Sequence, residues 1–183
     1  SQSGSGSGLG VYHAKTTVEQ CFGGKFEIHS KEGHGTSIII TLPIAPTPKW
    51  FIEKLILKPH SQVISVDDDM SIHAVWKGRF QSAKIQEHHV EHLTFTAGEE
   101  FKVFFKTSHS VHISNASRLY LVDFELLNQG QSGLEIIEEL GIQDKSILVT
   151  SRYEEKQIRE KCESLGLKLI PKGMAGFVPI VIG

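Results

Sequence analysis

The sequence predicts a doubly wound α/β fold, with a five-stranded parallel sheet over residues 60–183 and a short α+β fragment before it. Two observations carry this reading. Short apolar runs at 63–66, 119–122, 147–149 and 167–170 alternate with segments of helical periodicity, the pattern of strands buried on both faces by crossover helices. Each run also ends at a polar residue, at Asp67, Asp123, Thr150 and Lys172, and the carboxyl ends of such strands are where this fold class places its sites.

Taken in order, the first strand (63–66) runs into Asp67-Asp68-Asp69, and Ile72, Val75, Trp76 and Phe80 follow at helical spacing. Residues 89–95 alternate weakly and are the candidate second strand. Thr96 and Glu99 have capping-box spacing and open a helix to about Lys106. After the strand at 119–122, Ser132 and Glu135 form a second capping box, and Gly141 closes that helix. The strand at 147–149 is followed by Ser151 and Glu154 as a third box, with Ile158, Cys162 and Leu165 on one helical face. The strand at 167–170 leads to Lys172, and the glycines and Pro179 of 173–183 make a poor fifth helix.

Upstream, three prolines between Pro43 and Pro48 mark a connector, so the chain divides into a fragment at 1–43, a linker at 44–59 and the domain at 60–183. The apolar run at 50–57 is too short to assign and reads as a linker helix or an edge strand. In the fragment, Val11, Ala14, Val18, Cys21 and Phe22 share a helical face, Gly23-Gly24 ends the helix, and strands follow at 25–30 and 37–42. These elements are too few to bury a core of their own.

The 183 residues are 39% hydrophobic and 22% charged, with 19 basic and 21 acidic residues in no single-sign block. That balance argues for a globular chain and gives no electrostatic reason to expect nucleic-acid or membrane-surface binding. No stretch has the roughly 20 apolar residues of a membrane span, and no signal-peptide pattern opens the chain. The two cysteines, Cys21 and Cys162, sit on apolar helix faces and read as buried, reduced thiols of a cytoplasmic protein.

The strand ends carry the chemistry. Singly, Asp67–Asp69 would be turn formers or caps, Thr150 a cap and Lys172 a solvated lysine. Together, carboxylates converging on one crevice repel each other and call for a cation. Oxygen ligands with open positions suit Mg²⁺, and a carboxylate can itself be a nucleophile that forms an aspartyl phosphate. A lysine and a hydroxyl would then bind phosphoryl oxygens.

These residues resemble the receiver family of two-component systems. Residues 63–69 look like its first strand and acidic pair (Asp67, Asp68), and Leu121-Val122-Asp123 like its phosphoacceptor strand. Residues 147–151 are similar to the strand bearing the family's hydroxyl (Thr150), and Ile170-Pro171-Lys172 to the one bearing its lysine. The resemblance covers residues 60–183. It implies phosphorylation of Asp123, Mg²⁺ held by Asp67, Asp68 and Asp123, and Thr150 and Lys172 as catalytic partners. It also implies a histidine kinase or histidine phosphotransfer protein as phosphodonor or acceptor. The chain departs from the family at Leu127 and Gly173, where proline is usual, at Leu169, where the switch aromatic stands, and in a longer loop at 128–131. A pseudo-receiver, an interaction module that works without phosphorylation, is the competing reading.

The first 43 residues are similar to the end of a GHKL-type histidine-kinase ATP-binding domain. The matching features are the Gly6-Ser7-Gly8-Leu9-Gly10 loop, Lys15, Val18-Glu19, Gly23-Gly24 and Gly33-His34-Gly35-Thr36. In the complete kinase the loop glycines (Gly6, Gly8, Gly10) lie over the ATP phosphates. The family's earlier asparagine and aspartate motifs are missing, so this chain alone is not expected to bind ATP well or to act as a kinase. The order, kinase end and then receiver, is that of a hybrid sensor histidine kinase working in a phosphorelay. His88, His89 and His92 with Glu87 and Glu91 lack a matching ligand cluster and read as a solvated or partly buried face.

Overall fold

The computed structural model describes residues 9–108, 117–126 and 130–183. The chain forms two units, 1–46 and 47–183.

In the first unit, helix α1 (Leu9–Thr16) runs into a π-helical turn, Thr17–Cys21, and strands β1 (Lys25–Lys31) and β2 (Gly35–Thr41) pair antiparallel. Among its described residues only Val18 and Phe26 are buried hydrophobics, and Ile38, Ile39 and Ile40 are exposed. Cys21 is exposed as well, which corrects the expectation of two buried thiols. A two-stranded ribbon and one helix leave one face of each element without a layer to cover it.

In the second unit the parallel sheet has the order β5-β4-β6-β7-β8. Its strands are β4 (Gln62–Val66), β5 (Glu91–Phe95), β6 (Arg118–Asp123), β7 (Ser146–Thr150) and β8 (Lys168–Pro171). This is a doubly wound, flavodoxin-like order, and the chain reverses direction across the sheet at β4. The period-two alternation of β-structure splits each strand between two cores. Ile64, Val66, Tyr120, Val122, Leu148 and Leu169 face helices α3 (Gly98–Thr107), α4 (Gly133–Leu140) and α5 (Lys156–Ser164), through residues such as Phe101, Ile137 and Ile158. Val63, Leu121, Ile147, Val149 and Ile170 face the opposite core.

That second core is closed differently from the first. Helix α2 (Met70–Ser82) brings Trp76 and Phe80, and the rest is covered by a parallel pair, β3 (Leu55–Leu57) with β9 (Ile180–Ile182). Leu55 and Leu57 are fully buried, each contributing about 2 kcal/mol by removing its side chain from water. Of the two possibilities open for residues 50–57, the structure forms a strand. The segment also lies along β8: Leu169 N–H donates to Trp50 O (2.8 Å) and Ile52 N–H to Leu169 O (3.2 Å). The tail after Lys172 forms a single 3₁₀ turn, Lys172–Met174, and then β9 rather than a fifth helix.

Capping follows the sequence in one place of three. Ser132 and Glu135 form a reciprocal box on α4, which ends at Gly141 with φ 63°. Helix α3 begins after Ala97 and α5 after Glu155, neither of which caps with its side chain, so the helices expected to open at Thr96 and Ser151 start one and four residues later. At Ser151 the cause is visible. Arg152 grips Glu155 with Nε and Nη2 (2.5 and 2.7 Å), and Thr150 Oγ1 accepts the Arg152 N–H (3.0 Å), which holds 151–154 as turns.

Candidate functional site

β4, β6, β7 and β8 end on the same edge of the sheet, and their ends supply the site. Asp67 follows β4 directly, its N–H donating to Phe95 O at 3.0 Å, where the parallel ladder ends. Asp123 is the last residue of β6, Thr150 the last of β7, and Lys172 follows β8. Asp67, Asp123 and Thr150 are buried, while Lys172 reaches the site from a partly exposed position.

The Lys172 ammonium bridges the two buried carboxylates, donating to Asp123 Oδ2 at 2.7 Å and to Asp67 Oδ1 at 3.0 Å. The other oxygens, Asp67 Oδ2 and Asp123 Oδ1, are buried without a hydrogen-bond partner among the described residues. One carboxylate oxygen from each of Asp67, Asp68 and Asp123 lies within 4.8 Å of the other two. Buried orphan oxygens beside a third carboxylate form a hard, anionic pocket with unused lone pairs. Its chemistry fits a small divalent cation such as Mg²⁺.

The electrostatics agree. Burial raises the pKa of Asp123 from its ordinary 3.8 to about 6; the hydrogen bond from Lys172 opposes this rise and the charge of Asp67 adds to it. Burial also raises Asp67, opposed by the Asp69 N–H and by Lys172. For Lys172, burial works against the charge, but hydrogen bonds to Asp123 and Asp67 outweigh it and the ammonium is held more tightly than usual. One cation therefore stands among carboxylates that remain undercompensated.

Neighbouring elements hold this arrangement in place. Asp69 caps α2, its Oδ1 accepting the Ser71 N–H at 2.8 Å, so the third acid of the Asp67–Asp69 run serves the helix. Gly133 opens α4 hard against the end of β6. Its N–H donates to Phe124 O at 3.0 Å, and a Cβ there would lie 1.8 Å from Asp123 O, so only glycine fits. Thr150 Oγ1 accepts from Arg152 N–H, which leaves its hydroxyl hydrogen to donate elsewhere. Arg152 in turn lies over the Phe124 ring, 5.2 Å from its centroid.

Thus Asp67, Asp123 and Lys172 are in direct contact, Asp68 joins the carboxylate cluster, and Thr150 ends the strand beside Asp123. Leu169 is fully buried, and its main chain is bonded to the 50–52 segment. Gly10 lies in the first turn of α1, not in a loop, while Gly6 and Gly8 fall outside the described residues, as do Leu127 and residues 128–129 of the loop expected to be long. His92 donates to or accepts from Ser65 Oγ (2.9 Å) as a partly buried side chain. Sequence reasoning passed over Ser65, His73 and Gly133. A serine inside an apolar strand and a histidine one turn into the following helix were the available signals. A cavity of about 1030 Å³ runs between α2 and β5, lined by Met70, Lys77 and Leu93 among others, and none of the clustered acids lines it.

No family model matches the chain, and no curated protein does. Solved structures similar to it are receiver domains. The receiver domain of the histidine kinase CKI1 from Arabidopsis thaliana, complexed with Mg²⁺ and BeF₃⁻, is 12% identical with a TM-score of 0.47, covering 62% of this chain and 82% of that one. A response regulator receiver domain from Rhodospirillum rubrum is 18% identical with a TM-score of 0.47, covering 67% and 99%. The receiver domain of the Francisella response regulator 1452 is 18% identical with a TM-score of 0.44, covering 60% and 82%. At these identities and scores no chemistry passes from those proteins to this one. No described helix is long and apolar enough to cross a membrane.

Proposed function

We propose that residues 47–183 act as a phosphoryl-accepting receiver module in a phosphorelay, with Asp123 as the acceptor. The observation that carries this reading is the Lys172 ammonium bonded to both Asp123 and Asp67, with an unpartnered oxygen left on each carboxylate. A buried cation–carboxylate pair built only for stability would satisfy those oxygens.

Asp123, with its pKa near 6, is ionised at neutral pH and more basic than an ordinary carboxylate, which suits a nucleophile. Its oxygen forms the new bond to phosphorus while the bond from phosphorus to the donor breaks, the donor's leaving atom (the imidazole nitrogen of a phosphohistidine, or the bridging oxygen of an acyl phosphate) departing with the electron pair. Lys172 pairs with one phosphoryl oxygen and the Thr150 hydroxyl donates to another as charge redistributes. Asp67, Asp68 and Asp123 would hold Mg²⁺, which when bound supplies the positive charge that offsets repulsion between the carboxylate and an anionic donor. The donor or acceptor partner on this reading is a histidine kinase or a histidine phosphotransfer protein. Residues 1–43 are then the end of a kinase ATP-binding domain, with ATP bound only in the complete kinase, and the whole is a cytoplasmic part of a hybrid sensor kinase, whether that kinase is itself cytoplasmic or a membrane sensor.

The pseudo-receiver reading draws on one observation. Leu169, in place of a switch aromatic, has its main chain bonded to Trp50 and Ile52, so any output surface differs from an ordinary one. Incubation with a small-molecule phosphodonor separates the two readings. Mg²⁺-dependent, base-labile phosphate on the chain supports the receiver. Its absence under conditions that label an ordinary receiver supports the interaction module.

A further inference from the structure

Behind the acidic site lies a chain of buried polar groups that the phosphoryl chemistry does not use. Ser65 stands in β4, the middle of an otherwise apolar run, and is 1% exposed. Its hydroxyl lies 3.1 Å from His73 Nδ1 and 2.9 Å from His92 Nε2. His73, in the first turns of α2 and 4% exposed, places its other nitrogen, Nε2, 2.7 Å from the main-chain oxygen of Asp67.

The direction of these bonds follows by elimination. A carbonyl oxygen only accepts, so His73 Nε2 carries a hydrogen and donates to Asp67 O. That holds whether His73 is neutral or protonated. With His73 neutral, Nδ1 accepts the Ser65 hydroxyl hydrogen, and Ser65 Oγ then accepts from His92 Nε2–H. Burial, with a smaller contribution from the charge of His73, lowers His92 to about 4, so it is neutral near pH 7. Its ring is fixed in turn by edge contact with Phe80, centroids 4.7 Å apart. Every ring nitrogen facing Ser65 has a partner, and His73 is left one orientation.

Asp67 is consequently held through the peptide units on both sides of its Cα, its N–H on Phe95 O and its C=O on His73. A residue at the end of a strand, entering a loop, is otherwise free to rotate about ψ. Holding the main chain on both sides of Cα fixes the direction of the Cα–Cβ bond from which the carboxylate extends, and Asp67 must keep Oδ1 on Lys172 and Asp69 N–H while its orphan Oδ2 stays turned into the cluster. The same logic governs the outer partners that orient metal-ligating histidines.

We propose that His73, braced by Ser65 and His92, is a positioning residue that aims Asp67 for divalent-cation binding. The inference rests on the metal reading of Asp67, Asp68 and Asp123 and deepens it. His73 touches neither the phosphoryl group nor the cation.

The test is Mn²⁺ binding to the full chain, followed by electron paramagnetic resonance of the free ion, with labelling by a phosphodonor measured separately. His73→Leu removes the donor and should weaken Mn²⁺ binding about tenfold. His73→Gln keeps an N–H at the length of Nε2 and should recover most of that loss, which a role in packing alone would not predict. Ser65→Ala unbraces the ring and should cost about threefold. Wild-type affinity in His73→Leu and Ser65→Ala, or equal weakness in a folded His73→Gln and His73→Leu, overturns the proposal. Should His73→Leu fail to fold, an unchanged affinity in Ser65→Ala still overturns it and a loss supports it. Wild type that binds Mn²⁺ but takes no phosphate ends the phosphoacceptor reading and leaves this proposal standing. Wild type that binds no Mn²⁺ overturns the metal reading and this proposal with it.

Discussion

Replacing Asp123 by asparagine should stabilise the metal-free protein, although it destroys the proposed acceptor. Asp123 is 1% exposed and its pKa rises from 3.8 to about 6 on folding, first through burial. A folded-state pKa above the unfolded one means that protonation favours the native state. The stability due to protonated Asp123 is thus full below about pH 4 and is lost as pH rises through about 6. At neutral pH the ionised group costs about 3 kcal/mol, a figure that already contains the attraction of Lys172. Allowing for water at the rim of the site, about 2 kcal/mol remains, or roughly 5–8 °C in Tm for a unit of this size. An amide resembles the protonated acid in shape and charge, so Asp123→Asn should recover that amount. The assay is thermal unfolding in chelator, followed by fluorescence, since both tryptophans, Trp50 and Trp76, lie in the second unit. The gain should be largest at about pH 7.5 and nearly vanish by about pH 4. Added Mg²⁺ should then stabilise wild type more than the variant. A variant no more stable than wild type at neutral pH in chelator would refute the claim that this carboxylate is buried against its own charge.

Three further outcomes follow from the packing and the site. Gly133→Ala should cost about 3 kcal/mol or more in denaturant unfolding and suppress labelling, because its Cβ would collide with Asp123 O. Leu55→Ala should cost about 2–5 kcal/mol, while Ile56→Ala, on the exposed side of the same strand, should stay within about 0.5 kcal/mol; equal effects would mean that β3 is not part of the fold. Lys172→Ala should leave Mn²⁺ affinity largely intact, measured by the same resonance titration, while reducing the labelling rate about 100-fold or more.

The strands of the parallel sheet were legible because they are buried on both faces and so appear as continuous apolar runs. β5 was the faintest, as an edge strand with Glu91 and Thr94 exposed. The residues of the candidate site, Asp67, Asp68, Asp123, Thr150 and Lys172, were legible as a group for a related reason, since each stands at or just after the point where an apolar run stops. Other features depend on partners distant in sequence. Residues 55–57 become a strand only because 180–182 lie beside them, and no local propensity announces a three-residue pair. The Ser151 box failed because Arg152 had a better use for its guanidinium on Glu155. Cys21 misled because a helical apolar face implies burial only where another layer exists to cover it. His73 could not be tied to Asp67 without the structure, because five residues of loop and helix separate a donor from an acceptor that meet only after α2 packs.

The most direct measurement is intact mass of wild type and Asp123→Asn after incubation with a small-molecule phosphodonor, with Mg²⁺ and with chelator. The account predicts the added mass of one phosphoryl group on wild type with Mg²⁺ only, lost on mild base treatment, and none on the variant under either condition. Unlabelled wild type beside a labelled ordinary receiver, or equal labelling of Asp123→Asn, would contradict it.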